Sequence, residues 1–194
     1  MSATYRAIRL ERFADSFRAG TEIVELPLAE PAPGELRVRN RWCGVNGIFD
    51  TQMARDAVDY IRFKVPTLTG VESVGVVEAV GDGVTGFAVG DAVASFRFRS
   101  GYREVNIAPA TEFEHVPDAS RESLALASSG VAALLALEHA GQLKDGETVA
   151  ISAAAGGLGH LMVQIAKARG CRVVAVCGGA DKAALVRGLG ADRV

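Results

Sequence analysis

Cysteine is scarce in this chain. Cys43, Cys171 and Cys177 are widely spaced, odd in number and include no CxxC pair. That excludes a disulfide framework and a zinc-finger-type site, and it fits a reducing compartment. Histidine is as sparse: His115, His139 and His160 stand far apart without metal-ligand spacing, and each reads as a surface or packing residue. No charge of one sign prevails, because 21 Lys and Arg face 23 Asp and Glu for a net charge of −2. Neither nucleic acid nor an anionic membrane has an electrostatic footprint to recognise. The N-terminal stretch Met1 to Arg12 is charged and lacks an apolar h-region, so no secretory signal is visible and a cytoplasmic location is expected. The longest uncharged run, Thr148 to Ala166, approaches membrane-spanning length, but Gly156, Gly157, Gly159 and His160 occupy its middle. A strand, a turn and a helix account for it better than a bilayer span.

What is abundant is glycine, 22 of 194 residues, in an otherwise ordinary globular composition with 49% hydrophobic and 23% charged residues. Tight turns and close backbone approaches follow from that excess. Up to about Asp118 the chain reads as short strands: Glu35–Trp42, alternating polar and apolar behind Pro31, Pro33 and Gly34, then Val74–Val80, Asp91–Phe98 and Tyr102–Ile107. Strands separated by glycine turns imply a small barrel or sandwich. From Ala119 to Ala140 the composition turns helical, with a break expected at Gly130. A strand at Thr148–Ser152, a helix at Leu158–Arg169, a strand at Arg172–Val176 and a helix at Asp181–Leu189 then alternate. That order predicts parallel strands joined by right-handed crossovers. Two parallel strands cannot bury both of their faces, so the α/β part reads as incomplete.

The segment Ala153-Ala154-Ala155-Gly156-Gly157-Leu158-Gly159 follows a strand and opens a helix. Glycines there let the backbone approach a pyrophosphate, and the helix N-terminus offers free N–H groups. The same turn could also serve packing alone; the βαβ context favours a dinucleotide loop. An NAD site usually carries an acid at the tip of the second strand. Here the tip is Val176-Cys177-Gly178-Gly179, and Lys182 follows. A missing acid and a nearby base favour NADPH, with Lys182 on the 2′-phosphate; a solvated helix lysine is the plainer reading.

Both parts together resemble the medium-chain dehydrogenase/reductase family. The resemblance rests on the run Val77-Glu-Ala-Val80-Gly81-Asp-Gly-Val84-Thr-Gly-Phe87-Ala-Val89-Gly90-Asp91-Ala-Val93, on Cys43-Gly-Val-Asn46, on Arg37–Arg41 and on the alanine-glycine loop. It points to the zinc-independent quinone oxidoreductase and prostaglandin reductase-3-like branch. The implied fold is mixed: a chaperonin-10-like β-barrel domain over residues 1–122, then the N-terminal half of an α/β Rossmann domain over 123–194. Where zinc-dependent relatives carry ligands, this chain has Val71 in Gly70-Val71-Glu72, Asn46, and Ser128 or Ser129. A catalytic zinc needs about three protein ligands, so no zinc is expected.

The resemblance implies hydride reduction of α,β-unsaturated carbonyls (2-alkenals, enones) or of quinones, with substrate held between the two domains. An enoyl-thioester reductase, or a truncated nucleotide-binding remnant without activity, are the alternatives. Small-molecule substrates are expected, and by analogy a homodimer. Cofactor-facing positions carried over are Asn46, Ser129, Val131, Ala154, Ala155, Gly156, Gly157, Leu158, Gly159, Cys177, Gly178, Gly179 and Lys182. Asn46 is also a candidate to polarise the substrate carbonyl, against its reading as a turn asparagine. Tyr60 is a candidate proton donor, against a packing role. Ser129 and Val131 could equally be ordinary helix packing. Asp50 is read as capping a short helix after it, and Cys43 and Cys177 as small buried hydrophobes.

Overall fold

A computed structural model describes residues 3–194. The chain divides into two compact units, one running to Leu124 and the other from Ala125 to Val194. The first is built of strands. β1 (Thr4–Leu10), β2 (Thr21–Pro27) and β4 (Thr67–Leu68) form a sheet ordered β2-β1-β4. β3 (Glu35–Cys43), β5 (Ser73–Val80), β6 (Ala92–Ser95), β7 (Val105–Pro109) and β8 (Glu114–His115) form a second, ordered β7-β3-β5-β6-β8. All pairings in both sheets are antiparallel.

The alternation read in β3 is real. Leu36 and Val38 are buried at 0% and 1% exposure, while Arg37 and Arg39 face outward to Glu30 and Glu78. Leu36, Val38, Val77, Val93, Ala108 and Phe113 make one core cluster, with Val80, Val84 and Phe87 packed on it. The glycine-punctuated run after β5 thus supplies core side chains as well as turns. β1 and β2, whose individual bounds the sequence left unassigned, bury Tyr5 and Ala7 against Val105. The strand expected at Tyr102–Ile107 begins only at Val105, because Tyr102 is held in a turn, its N–H donating to Thr69 O. The strand expected at Asp91–Phe98 stops at Ser95.

Two short helices join the barrel strands. α1 (Phe17–Gly20) is capped by Ser16, and α2 (Gly47–Ala54) follows β3. Phe49, Met53 and Ala54 of α2 bury against Leu10 and Val58. The cap of α2 is Asn46, whose side chain accepts the Phe49 N–H; Asp50 lies inside the first turn and is not the cap. The earlier residue wins because only the residue just before the first turn can turn its side-chain oxygen onto the N3 amide.

α3 (Arg121–Ala140) does not break at Gly130. Gly130 sits at φ −65° and ψ −47°, ordinary helical values, and it closes one of two π-helical stretches, Leu126–Gly130 and Ala136–Ala140. This helix is long and apolar enough, by length and composition alone, to cross a membrane. Leu126, Val131, Leu134 and Leu135 on it are exposed by 41–59%.

The second unit continues with β9 (Thr148–Ile151), α4 (Gly159–Ala168), β10 (Arg172–Ala175) and α5 (Ala180–Gly188). β9 and β10 pair in parallel, as the alternation predicts. Ile151, Val163, Ala166, Val173 and Val186 close a core between the strands and both helices. α4 stops at Gly170, which adopts φ +69° while the Cys171 N–H reaches back to Ala166 O. A side chain would resist that left-handed turn. Arg193 makes a parallel bridge to Val174, so β10 has a neighbour on its other side as well.

Candidate functional site

The candidate residues fall into two groups, one in each unit. In the second unit the chain leaves β9 through Ser152 and turns at Ala153, a non-glycine residue at φ +48°. Ala153 O accepts the Gly156 N–H at 2.8 Å, and Ala154 N–H donates to Val176 O at 3.0 Å. Gly156 O in turn receives the His160 N–H at 3.1 Å and lies 2.8 Å from His160 Nδ1. His160 is therefore part of the loop's scaffold, a role its isolation in sequence did not suggest. The N–H groups of Gly157 and Leu158 have no partner among the described residues. No side chain caps the start of α4. Unpaired amides at an uncapped helix N-terminus favour an anion.

The glycines of the loop differ in what they do. A Cβ at Gly159 would stand 2.4 Å from Ala153 O and 2.7 Å from Ala154 Cα, so this glycine lets the helix pack on the loop. A Cβ at Gly157 would meet nothing within 4 Å. Its bare backbone faces a hollow of about 460 Å³ lined by Ile151, Ser152, Ala153, Gly156 and Met162 among others. Ala154 is fully buried and Ala155 packs against the core, so these two support the loop from beneath. Leu158 is 40% exposed at the mouth.

Beyond β10, Cys177 packs partly against the core. Gly178 is exposed, and Gly179 turns at φ +84° into α5. Lys182 lies exposed in the first turn of α5 and has no ion-pair partner among the described residues. A cation there opposes the helix dipole, a placement that an anionic ligand would reverse. On α3, Ser129 is half-buried within the first π stretch and Val131 is 50% exposed just after it.

In the first unit, Asn46 is exposed at the turn between β3 and α2. Its Oδ1 accepts the Phe49 N–H at 3.3 Å, the local role expected of a turn asparagine. That bond uses only the oxygen. The Nδ2 amide has no partner among the described residues and is available as a donor. Tyr60 is 73% exposed and makes no hydrogen bond among the described residues, so the packing role expected for it is not realised. Its loop simply carries it away from the core formed by Val58, Ile61 and Phe63. Cys43 is likewise exposed rather than buried, although β3 still pairs there with Ser73 of β5. Partial burial, with Glu72 and Asp50 close by, nevertheless pushes its thiol above the usual range, so it is no ready nucleophile.

Sequence reasoning missed Tyr102. Its hydroxyl donates to Asp50 Oδ2 at 2.5 Å. Burial, then the Asp50 carboxylate, pushes the phenol up; burial also pushes the Asp50 carboxyl up, against the Tyr102 hydrogen bond. Fifty-two residues separate the pair, and no local spacing marks it. Among the described residues, no three His, Cys, Asp or Glu side chains gather where they could hold a metal ion.

These features define a class. Residues 32–118 match the alcohol dehydrogenase GroES-like domain, and residues 157–194 match the zinc-binding dehydrogenase domain. The chain belongs to the medium-chain dehydrogenase/reductase family, with a GroES-like domain followed by the start of its Rossmann-like domain. Within the family its likeness runs to the prostaglandin reductase-3 and quinone oxidoreductase branch. It is 36% identical to bovine prostaglandin reductase-3 over 184 residues, covering 94% of this chain and 48% of the relative. It is 38% identical to quinone oxidoreductase from Pseudomonas aeruginosa over 166 residues, 84% of this chain and 50% of the relative. The crystal structure of Escherichia coli quinone oxidoreductase complexed with NADPH aligns at a TM-score of 0.83 with 27% identity, over 97% of this chain and 57% of that one. The chain spans about half the length of the curated relatives it matches.

Proposed function

We propose that the chain provides the substrate-side barrel and the first nucleotide-binding unit of an NADPH-dependent reductase of α,β-unsaturated carbonyls or quinones, working without zinc. The observation that carries this reading is the loop at Ala153–Gly159. Among its amides, the N–H groups of Gly157 and Leu158 have no partner among the described residues, both residues line the hollow, and a Cβ at Gly157 would meet nothing within 4 Å. This is the fit a pyrophosphate requires, and the chain's likeness to an NADPH complex supports the cofactor's identity. Preference for NADPH over NADH rests on the acid-free tip at Cys177–Gly179 and on the unpaired Lys182, which would hold the 2′-phosphate as a point charge. Ser129 and Val131 are assigned to the nicotinamide end.

When bound, NADPH would supply the hydride. The chain's own task is to receive the charge that develops on the substrate's carbonyl oxygen. A fixed hydrogen-bond donor does this without reorganisation cost. Asn46 Nδ2 is that donor, its orientation set by the Oδ1 bond to Phe49 N–H. The positions at which zinc-dependent relatives place ligands hold Asn46, Val71 and Ser128 or Ser129, which supports polarisation by hydrogen bonding rather than by a metal. Tyr60, exposed and without a hydrogen-bond partner among the described residues, is the candidate proton donor. Three free cysteines fit a cytoplasmic setting.

The test is a fluorescence titration with NADPH and NADH side by side, followed by a turnover screen of enones, 2-alkenals, quinones and enoyl thioesters using full-length protein. Tighter NADPH binding with turnover of enones or quinones is expected. Tighter NADH binding, or turnover confined to thioesters, would overturn the reading.

A further inference from the structure

Asp50 is a buried ionisable group for which the chemistry above has no use. It is 5% exposed, and it makes no ion pair among the described residues. Oδ2 accepts the Tyr102 hydroxyl, whereas Oδ1 is buried without a partner. An unpaired buried oxygen is costly, and an apolar side chain at this position would avoid the cost. A carboxylate here therefore needs a reason other than packing.

The surrounding bonds converge on Asn46. The Asp50 N–H donates to Asn46 O at 2.9 Å, and the Phe49 N–H donates to Asn46 Oδ1 at 3.3 Å. Tyr102 itself is anchored in the barrel. Its N–H donates to Thr69 O at 3.1 Å, its carbonyl accepts the Ile8 N–H at 2.8 Å, and its ring meets Phe17 edge-on at 5.9 Å. The remaining anchors of α2 are apolar: Phe49, Met53 and Ala54 in the core. Apolar burial fixes how deeply a helix sits but is non-directional. A hydrogen bond to the first turn from a loop tied to β1 through the Ile8 N–H fixes how the helix start is rotated.

We propose that Tyr102 and Asp50 are positioning residues. The bond from the Tyr102 hydroxyl to Asp50 clamps the turn between β3 and α2, so that the Asn46 side-chain amide is presented in one orientation. The inference rests on the reading of Asn46 as the polarising donor. A donor displaced by about 1 Å loses on the order of a hundredfold in rate, which gives such a clamp its leverage.

The experiment is a double-mutant cycle in the full-length protein, with NADPH and an enone or quinone that it turns over. Asn46→Ala is expected to lower kcat at least about tenfold. Tyr102→Phe is expected to lower kcat about tenfold with KM for NADPH unchanged, and to lower it no further in the Asn46→Ala background. Asp50→Asn keeps an acceptor oxygen for Tyr102 and should retain most of the activity, whereas Asp50→Leu should behave as Tyr102→Phe does. An equal loss from Tyr102→Phe in both backgrounds marks general destabilisation and overturns the clamp; so does no loss in either. If Asn46→Ala alone has no effect, it is the polarising role that fails. Hydrogen exchange then decides the clamp separately: Tyr102→Phe must speed exchange at the Phe49 and Asp50 amides about tenfold while leaving the amides of β5 unchanged. Unchanged exchange at Phe49 and Asp50 refutes it.

Discussion

Two glycines two residues apart in one loop should fail in opposite ways when given a methyl group. At Gly159 the added Cβ would stand 2.4 Å from Ala153 O and 2.7 Å from Ala154 Cα. Both are backbone atoms, so the clash cannot be relieved by a side-chain rotation, and overpacking of this kind costs about 1–3 kcal/mol. At Gly157 no atom lies within 4 Å of the added Cβ, and its φ is not in the left-handed region. There the alanine should be neutral or should stabilise the fold by about 0.4–1 kcal/mol, through the unfolded chain's lost freedom. The two variants should thus differ by about 1–4 kcal/mol in stability. Urea unfolding followed by circular dichroism reads the difference; the single tryptophan, Trp42, belongs to the barrel unit and would miss it. For NADPH the expectation reverses. Gly157→Ala keeps its fold yet places a methyl group where the pyrophosphate approaches, and should weaken binding at least about tenfold, or about 1.4 kcal/mol. A Gly157→Ala protein that binds NADPH as well as the unsubstituted one would refute the assignment of this loop. A Gly159→Ala protein of full stability would refute the packing argument.

Lys182→Ala should weaken NADPH more than NADH by about 1.5–3 kcal/mol, measured by parallel titrations; equal weakening would remove Lys182 from the 2′-phosphate site. Leu10, fully buried where β1 meets α2, should cost about 2–5 kcal/mol when cut to alanine, seen as a lower urea midpoint for the barrel. Acid should loosen the protein through three surface carboxylates. Glu104 is held down by the Arg6 amide and guanidinium, Asp118 by Ser120 and Ser123, and Asp192 by the Val173 N–H and Lys167. Each therefore contributes stability that is present above the ordinary carboxylate range and lost as pH falls through its depressed value. Asp192→Asn should accordingly show a shallower loss on acidification, and an unchanged pH profile would contradict this.

The parts of the molecule that a periodic pattern marks were legible in sequence. Leu36 and Val38 alternate with arginines in β3, and Thr148–Ile151 and Arg172–Ala175 are short apolar runs around a glycine turn. The loop itself could be read because its chemistry is local: a strand, a glycine-rich turn and a helix start are consecutive in the chain. Gly130 misled because glycine has low helix propensity, yet a wide π turn flanked by good helix formers carries it through. Asp50 was misplaced for a similar reason: both it and Asn46 can cap, and only the geometry decides between neighbours. Tyr60 and Cys43 were judged by residue type, which says nothing about where a loop or strand end leaves the fold. The Tyr102–Asp50 pair joins a loop to a helix across the barrel, and a contact of that separation leaves no periodic trace.

The left-handed turn at Ala153 has a kinetic consequence. A non-glycine residue is held at φ +48° only because its neighbours over-determine it, here through Gly156 N–H, Val176 O and the His160 ring. The loop's shape is therefore settled before any ligand arrives. An incoming anion meets a finished surface and does not wait for a rare conformation, so capture is set by diffusion and steering, and the lifetime of the complex by how many bonds must break together. If Lys182 holds the 2′-phosphate as proposed, selectivity among nucleotides would reside mainly in departure: a dinucleotide lacking that phosphate would leave sooner.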